Sequence, residues 1–183
     1  YFFLFAIIFG LSGFQTKAQL VVDNTSNTVP DLVNNVMLGF GASVTNITFT
    51  GNQQAIGYFN GINSNIGLDS GIVLTTGNAL TAIGPNNIGS AGDDLGQAGD
   101  ADLTTIAGNN TFDASILEFD FVPSNDTFSF YFVFASEEYP EFVNSINDVF
   151  AFFIDGANPS GGTYVNQNIA LIPGTTTPVT INN

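Results

Sequence analysis

Apolar and polar residues alternate with the period of a β-strand along most of the chain after position 110. In residues 115–121, Leu117, Phe119 and Phe121 share one face while Glu118 and Asp120 share the other, the pattern of a half-buried strand. Residues 126–136 set Phe128, Phe130, Phe132 and Phe134 against Thr127, Ser129, Tyr131 and Val133. The turn residues Pro123, Ser124, Asn125 and Asp126 between the two stretches predict a hairpin. Further strands are predicted at 148–154, closing at Asp155-Gly156, and at 168–172, ending at Pro173-Gly174.

The first half has the same character with a weaker pattern. Residues 30–38 read as a short amphipathic helix, with Pro30 in its first turn, an early Asp31 and Gly39 beyond its end. Its apolar positions are Leu32, Val33, Val36 and Met37. Strands follow at 42–50, 55–60 and 71–76, separated by Gly and Asn turns, and a second short helix is expected at 103–107. Short strands rich in Val, Ile, Thr and Phe at this spacing predict an all-β fold, a β-sandwich or jelly-roll-like domain with one or two short helices. No second domain and no internal repeat is read within residues 19–183. The chain stops at residues 179–183 inside what reads as another strand, so the C-terminal end of the domain, and further domains beyond it, are expected to be missing.

Residues 1–14 are uncharged and almost wholly apolar, and Gln15, Thr16, Lys17 and Ala18 then bring in polar and small residues. This is the apolar and cleavage region of a secretory signal peptide, incomplete at its N-terminus, with a cut expected after Ala18. At about 14 residues the run is shorter than a spanning helix needs, so a membrane anchor is the weaker reading.

Composition narrows the chemistry. The 183 residues carry 16 Asp plus Glu against one Lys or Arg, with no His and no Cys. All carboxylates follow Lys17, so a chain cut after Ala18 carries 16 negative charges and no side-chain cation. Without His or Cys there is no Ser-His-Asp or Cys-His nucleophile, no zinc site of the usual ligand types and no disulfide. Nucleic-acid binding is excluded, because such a surface repels the phosphate backbone. Two carboxylates 4 Å apart repel by about 4 kcal/mol at an effective dielectric of 20, so any cluster must be hydrated, protonated or bridged by a cation. Outside the cell, the abundant cation that takes oxygen ligands is calcium.

Two segments gather carboxylates. Residues 92–102 place Asp93, Asp94, Asp100 and Asp102 on a Gly-rich loop, with the short side chains and free carbonyls that an oxygen cage for calcium requires. The alternative is that Asp100 or Asp102 caps the helix at 103–107 and the others are solvated loop charges. Glu137 and Glu138 form the second segment, with Asp148 brought close by the return strand. This reads as a second cation site, as one shared with the Asp loop, or as an acidic surface loop. Adjacent Glu137 and Glu138 point opposite ways unless the chain bends, and Pro140 favours a bend. Glu118 and Asp120 have a glycosidase-like spacing but read as a solvated strand face. Tyr58, Phe59 and Tyr139 read as packing residues, with a sugar-stacking platform as the alternative.

The stretches Gly57-Tyr58-Phe59-Asn60-Gly61 and Leu68-Asp69-Ser70-Gly71-Ile72-Val73 carry a resemblance, strongest at Phe134-Ala135-Ser136-Glu137-Glu138-Tyr139-Pro140-Glu141-Phe142 running on to Asn147-Asp148-Val149-Phe150. The chain resembles the choice-of-anchor L domain over residues 30–183. That resemblance implies a modular secreted or surface protein of gram-negative, often gliding, bacteria, with no catalytic residues to carry over. The combined expectation is a non-catalytic structural or adhesive module, secreted or on the outer cell surface. It has no membrane-spanning segment after cleavage, is stabilised by calcium, and meets a cell-surface, matrix or glycan ligand. A carbohydrate-binding module and, further off, a metal-dependent hydrolase are the alternatives.

Overall fold

The computed structural model describes residues 19–38, 42–86, 88–89 and 91–183. The expected signal peptide at 1–18 lies outside the described residues. The chain forms β1 (Val21–Asp23), the short helix α1 (Val29–Asp31) continued by π-helical turns at Leu32–Met37, β2 (Ala42–Thr50), β3 (Ile56–Asn60) and β4 (Ser70–Leu74). It then forms α2 (Ala101–Ala107), β5 (Ile116–Pro123), β6 (Val149–Phe150), β7 (Phe153–Ala157), β8 (Thr163–Asn168) and β9 (Val179–Thr180). The class is all-β, as the alternation predicts. All strand pairing is antiparallel: a three-stranded sheet in the order β1-β3-β4, and the ladders β2-β5, β6-β9 and β7-β8.

The helix at 30–38 forms because its start is chemically specified. Thr28 and Asp31 make a reciprocal capping box, with Pro30 in the first turn. Leu32 and Val33 are fully buried, while Val36 and Met37 are half-buried on the same side. A core cluster of Val22, Phe59 and Ala79 lies under the first sheet, packed against Leu20, Ile66, Leu68, Val73 and Ile83. Gly71 is required there, since a Cβ would stand 2.7 Å from the Phe59 ring.

The β2-β5 ladder runs from Ala42 opposite Pro123 to Thr50 opposite Ile116. A bulge between Thr45 and Thr48 is formed at Asn46, whose φ is 53°. The extra residue keeps Val44, Ile47 and Phe49 on the half-buried side while Thr45, Thr48 and Thr50 stay exposed.

Three expectations need correction. Residues 126–136 carry no ladder and do not form a hydrogen-bonded hairpin with β5, whose paired partner is β2. Side-chain packing positions this segment instead. Phe128, Phe130 and Phe132 follow one another at ring spacings of 6.4 and 6.3 Å, the i, i+2 repeat of an extended chain. Phe121 meets Phe128 at 4.8 Å, Phe130 stacks on Phe152 at 4.1 Å, and Phe132 meets Phe150 at 4.9 Å. The expected register of rings is therefore present, held by aromatic contact.

The strand expected at 148–154 is divided because its two halves take different partners, β6 with β9 and β7 with β8. At the break, the Phe152 N–H donates to Asn168 Oδ1 at 3.1 Å and the Phe152 carbonyl accepts from Ile169 N–H at 2.8 Å. The chain also passes through Asp155-Gly156 and turns only at Asn158, whose N–H donates to the Gly162 carbonyl at 3.1 Å. The strand expected at 168–172 is displaced to Thr163–Asn168. That segment is mostly exposed, so hydrophobicity did not mark it.

Candidate functional site

The Asp loop is organised by its own carboxylates. Asp100 adopts extended backbone and caps α2, accepting from the N–H groups of Asp102 and Leu103, both at 2.9 Å. Asp102 lies in the first turn, where the helix dipole favours a negative charge. Asp94 Oδ1 closes a turn by accepting from Gly96 N–H at 2.9 Å. The backbone of Asp93 lies against Gly77, where a Cβ would stand 3.2 Å from its nitrogen and its oxygen.

Asp113, absent from the candidates read in the sequence, pins the loop from outside. Its Oδ1 accepts from Gln97 N–H at 2.5 Å and its Oδ2 from Leu95 N–H at 3.2 Å. Its φ of 50° is tolerated by Asp and aims the carboxyl at the loop. The only trace of it in the sequence is an acid in a turn before β5.

The second segment brings two of its three acids together. Ser136 Oγ lies within hydrogen-bond reach of Glu138 Oε2 at 2.5 Å and of Asp148 Oδ2 at 2.9 Å. It also accepts from Glu138 N–H at 3.2 Å. Glu137, in the same turn, accepts instead from the Asn86 side chain. Burial, then the hydrogen bond with Glu138, push the Asp148 carboxyl up to about 6, with the charges of Glu138 and Glu137 adding to the effect. For Glu138, burial acts upward but is outweighed by hydrogen bonds from Ser136, Asp148 and its own backbone, which hold it below the usual carboxylate value. Below about pH 6 the pair therefore holds a proton on Asp148 while Glu138 is ionised, and above it both carboxyls are charged.

Asn147 ties this corner to α2 and to the last strand. Its Nδ2 donates to the Ala107 carbonyl at 3.0 Å and its Oδ1 accepts from Asn182 N–H at 3.2 Å. The Asp148 carbonyl accepts from Ile181 N–H at 3.0 Å. Helix α2 thus links both acidic segments, capped by Asp100 at one end and bonded by Asn147 at the other. The two sets do not merge: among the described residues no three acidic side chains converge as ligands of one metal ion.

Glu118 and Asp120 are exposed on the outer face of β5, where Asn46 Nδ2 donates to Asp120 Oδ2 at 2.6 Å. Phe59 is core, whereas Tyr139 is 67 % exposed.

The family model of the choice-of-anchor L domain matches residues 21–183. The chain belongs to the choice-of-anchor L domain family. No curated protein and no solved structure matches it. Choice-of-anchor domains are in general non-catalytic surface modules, and the family places this chain among the cell-surface or anchoring modules of secreted bacterial proteins. No described helix of this choice-of-anchor L domain is long and apolar enough to cross a membrane.

Proposed function

We propose that this choice-of-anchor L domain is a non-catalytic structural and adhesive module exposed outside the cell, with its acidic loops stabilised by calcium. The observation that carries the reading is the meeting of Glu138 and Asp148 on one serine hydroxyl in a family of surface modules. The chain has no Lys or Arg after Lys17 to neutralise them. A hard divalent cation with oxygen ligands supplies the missing charge. The same reading assigns Asp93, Asp94, Asp100 and Asp102 to a second ion.

A thermal melt in chelator and across a calcium titration, with magnesium as comparator, tests this. A ligand that binds only the folded state stabilises by about 2.7 kcal/mol at a hundredfold excess over its dissociation constant, which moves the midpoint by several degrees. A calcium-specific rise that is reduced by Asp148→Asn supports the reading and locates the ion. Identical melts in chelator and in millimolar calcium remove it.

A further inference from the structure

Residues 127–135 run without secondary structure between β5 and β6, and their backbone makes no hydrogen bond to another described residue. Their rings nevertheless hold a register. Phe130 lies on Phe152 at 4.1 Å and Phe132 on Phe150 at 4.9 Å. Two residues forward on one segment are thus matched by two residues back on the other, which is antiparallel pairing, and the spacing is close to the roughly 4.8 Å between neighbouring strands of a sheet. We propose that residues 130–134 are a strand held open against the free edge of β6, and that an ion at the acidic corner closes it. The proposal rests on the calcium reading above and gives that ion a conformational consequence.

One edge of the β6 segment is already used. The Asp148 carbonyl accepts from Ile181 N–H, while Phe152 donates to Asn168 Oδ1 and accepts from Ile169 N–H. These residues direct their peptide groups toward β8 and β9. Successive residues of a strand alternate in that direction, so the peptide groups of Val149 and Ala151 point at the open segment. In the ring register Val149 stands opposite Val133 and Ala151 opposite Tyr131, which makes these the hydrogen-bonded pairs of a closed ladder. The two ring pairs are then the non-hydrogen-bonded ones, in which facing side chains lie closer together. Tyr131 and Val133 are 86 % and 50 % exposed, so closure leaves them outward and turns no side chain through the sheet.

Ser136 is the clasp. The same register sets Phe134 opposite Asp148, and Ser136, two residues further on the same face, is the diagonal neighbour of Asp148. Its hydroxyl is bonded to Asp148 Oδ2 at 2.9 Å and to Glu138. An ion between Glu138 and Asp148 removes the repulsion of the two carboxylates and fixes residue 136 beside the residue that precedes β6. It thereby closes the 137–147 loop, whose closure entropy otherwise opposes pairing of the strands on either side. The ion binds the closed arrangement better than the open one, and that difference in affinity is what shifts the strand.

Amide exchange of the whole chain, read by NMR, tests the clasp. Going from chelator to millimolar calcium should slow the N–H groups of Tyr131, Val133, Val149 and Ala151 about tenfold or more, while those of the β2-β5 ladder stay within about twofold. Ser136→Ala leaves both carboxyls for the ion, so it should keep the calcium shift of the melting midpoint and lose the slowing. Slowing that survives Ser136→Ala overturns the clasp, as does a calcium shift of the parent's midpoint without slower exchange.

The strand is tested apart from the ion by cross-linking. The chain has no cysteine, so Val133→Cys with Val149→Cys introduces a single pair, about 5.5 Å apart at Cα in the closed ladder and within disulfide reach. With oxidised glutathione in chelator it should cross-link about tenfold faster than Val133→Cys with Ala151→Cys, a diagonal pair about 7–8 Å apart. Equal rates for the two pairs overturn the strand, whatever calcium does. Selective cross-linking with no calcium effect on melting or exchange upholds the strand and removes the ion reading.

Discussion

Replacing Asp148 by Asn isolates the carboxyl pair. Asp148 is raised from an ordinary 3.8 to about 6 by burial and by its neighbours Glu138 and Glu137. The folded state therefore holds this proton more tightly than the unfolded chain does. Its contribution to stability is fully present below the unfolded value near 4 and is lost as pH rises through the folded value near 6. Glu138 is shifted downward, so its contribution is present above its ordinary value and lost only in more acidic solution. Between pH 5 and pH 7 the slope belongs to Asp148. Two-state linkage with these values gives about 1.3 kcal/mol less stability at pH 7 than at pH 5. Partial exposure of the group reduces this to about 0.7 kcal/mol, or a midpoint about 2 °C lower for a domain of this size. Asp148→Asn carries a neutral amide that imitates the protonated carboxyl, so its midpoint should be level over the same range and no lower than that of the parent at pH 7. The assay is calorimetry of both proteins in chelator at constant ionic strength. A parent midpoint that is flat or rises from pH 5 to pH 7, or a variant that keeps the parent's slope, would refute the proton assignment.

Gly99→Ala places a Cβ 1.9 Å from the Thr111 carbonyl oxygen, which the loop cannot absorb, so a loss above about 3 kcal/mol is expected in urea unfolding. Gly96→Ala, at φ 67° with open space around it, should cost only about 1 kcal/mol, and equal losses for the two would show that the close approach is not decisive. Asp113→Ala frees the N–H groups of Leu95 and Gln97 and should cost about 2 kcal/mol, with faster hydrogen exchange confined to those two amides and their neighbours. Raising salt from about 0.01 M to about 0.15 M shortens the Debye length from about 30 to about 8 Å and should raise the midpoint, because the side chains carry 16 carboxylates against one cation; a fall would show that attractive interactions outweigh the repulsion among the carboxylates.

Alternation and capping made much of this fold legible. The faces of β2 and β5 follow from period two, and the helix near residue 30 follows from Pro30, Asp31 and its apolar positions, while the Thr28 cap that starts it is seen only in the structure. The strands after position 145 were read less well, for two reasons. Strand β8 is mostly exposed and polar, so a reading tuned to buried faces fixed on the apolar residues that follow it. The run through 148–154 is continuous in hydrophobicity but divided in partnership, and partnership is a tertiary property. The candidate site was legible in the same graded way. That Asp148 returns to the Glu pair could be inferred from strand order, whereas Asp113 lies 18 positions beyond Leu95, on the far side of α2, and has no local pattern.

The distribution of carboxylates follows from the lack of cations. Asp23 accepts from the N–H groups of Thr25 and Ser26, Asp31 from Thr28, Asp94 from Gly96, Asp100 from the start of α2, Asp113 from Leu95 and Gln97, and Asp155 from Asn166. In each case a backbone donor takes the place of an ion-pair partner: Asp23, Asp31, Asp94 and Asp100 close a turn or cap a helix locally, whereas Asp113 and Asp155 tie together segments apart in the chain. Hydrogen bonds from Ser26 and Thr25 hold Asp23 below the usual carboxylate range. Glu138 and Asp148 differ because they converge on one hydroxyl, which has one proton to give. Two carboxyls cannot both be satisfied that way, so one must carry its own proton or face a cation. Proton and calcium are thus alternative solutions to the same local electrostatic problem, and calcium bound there should abolish the pH dependence that Asp148 confers.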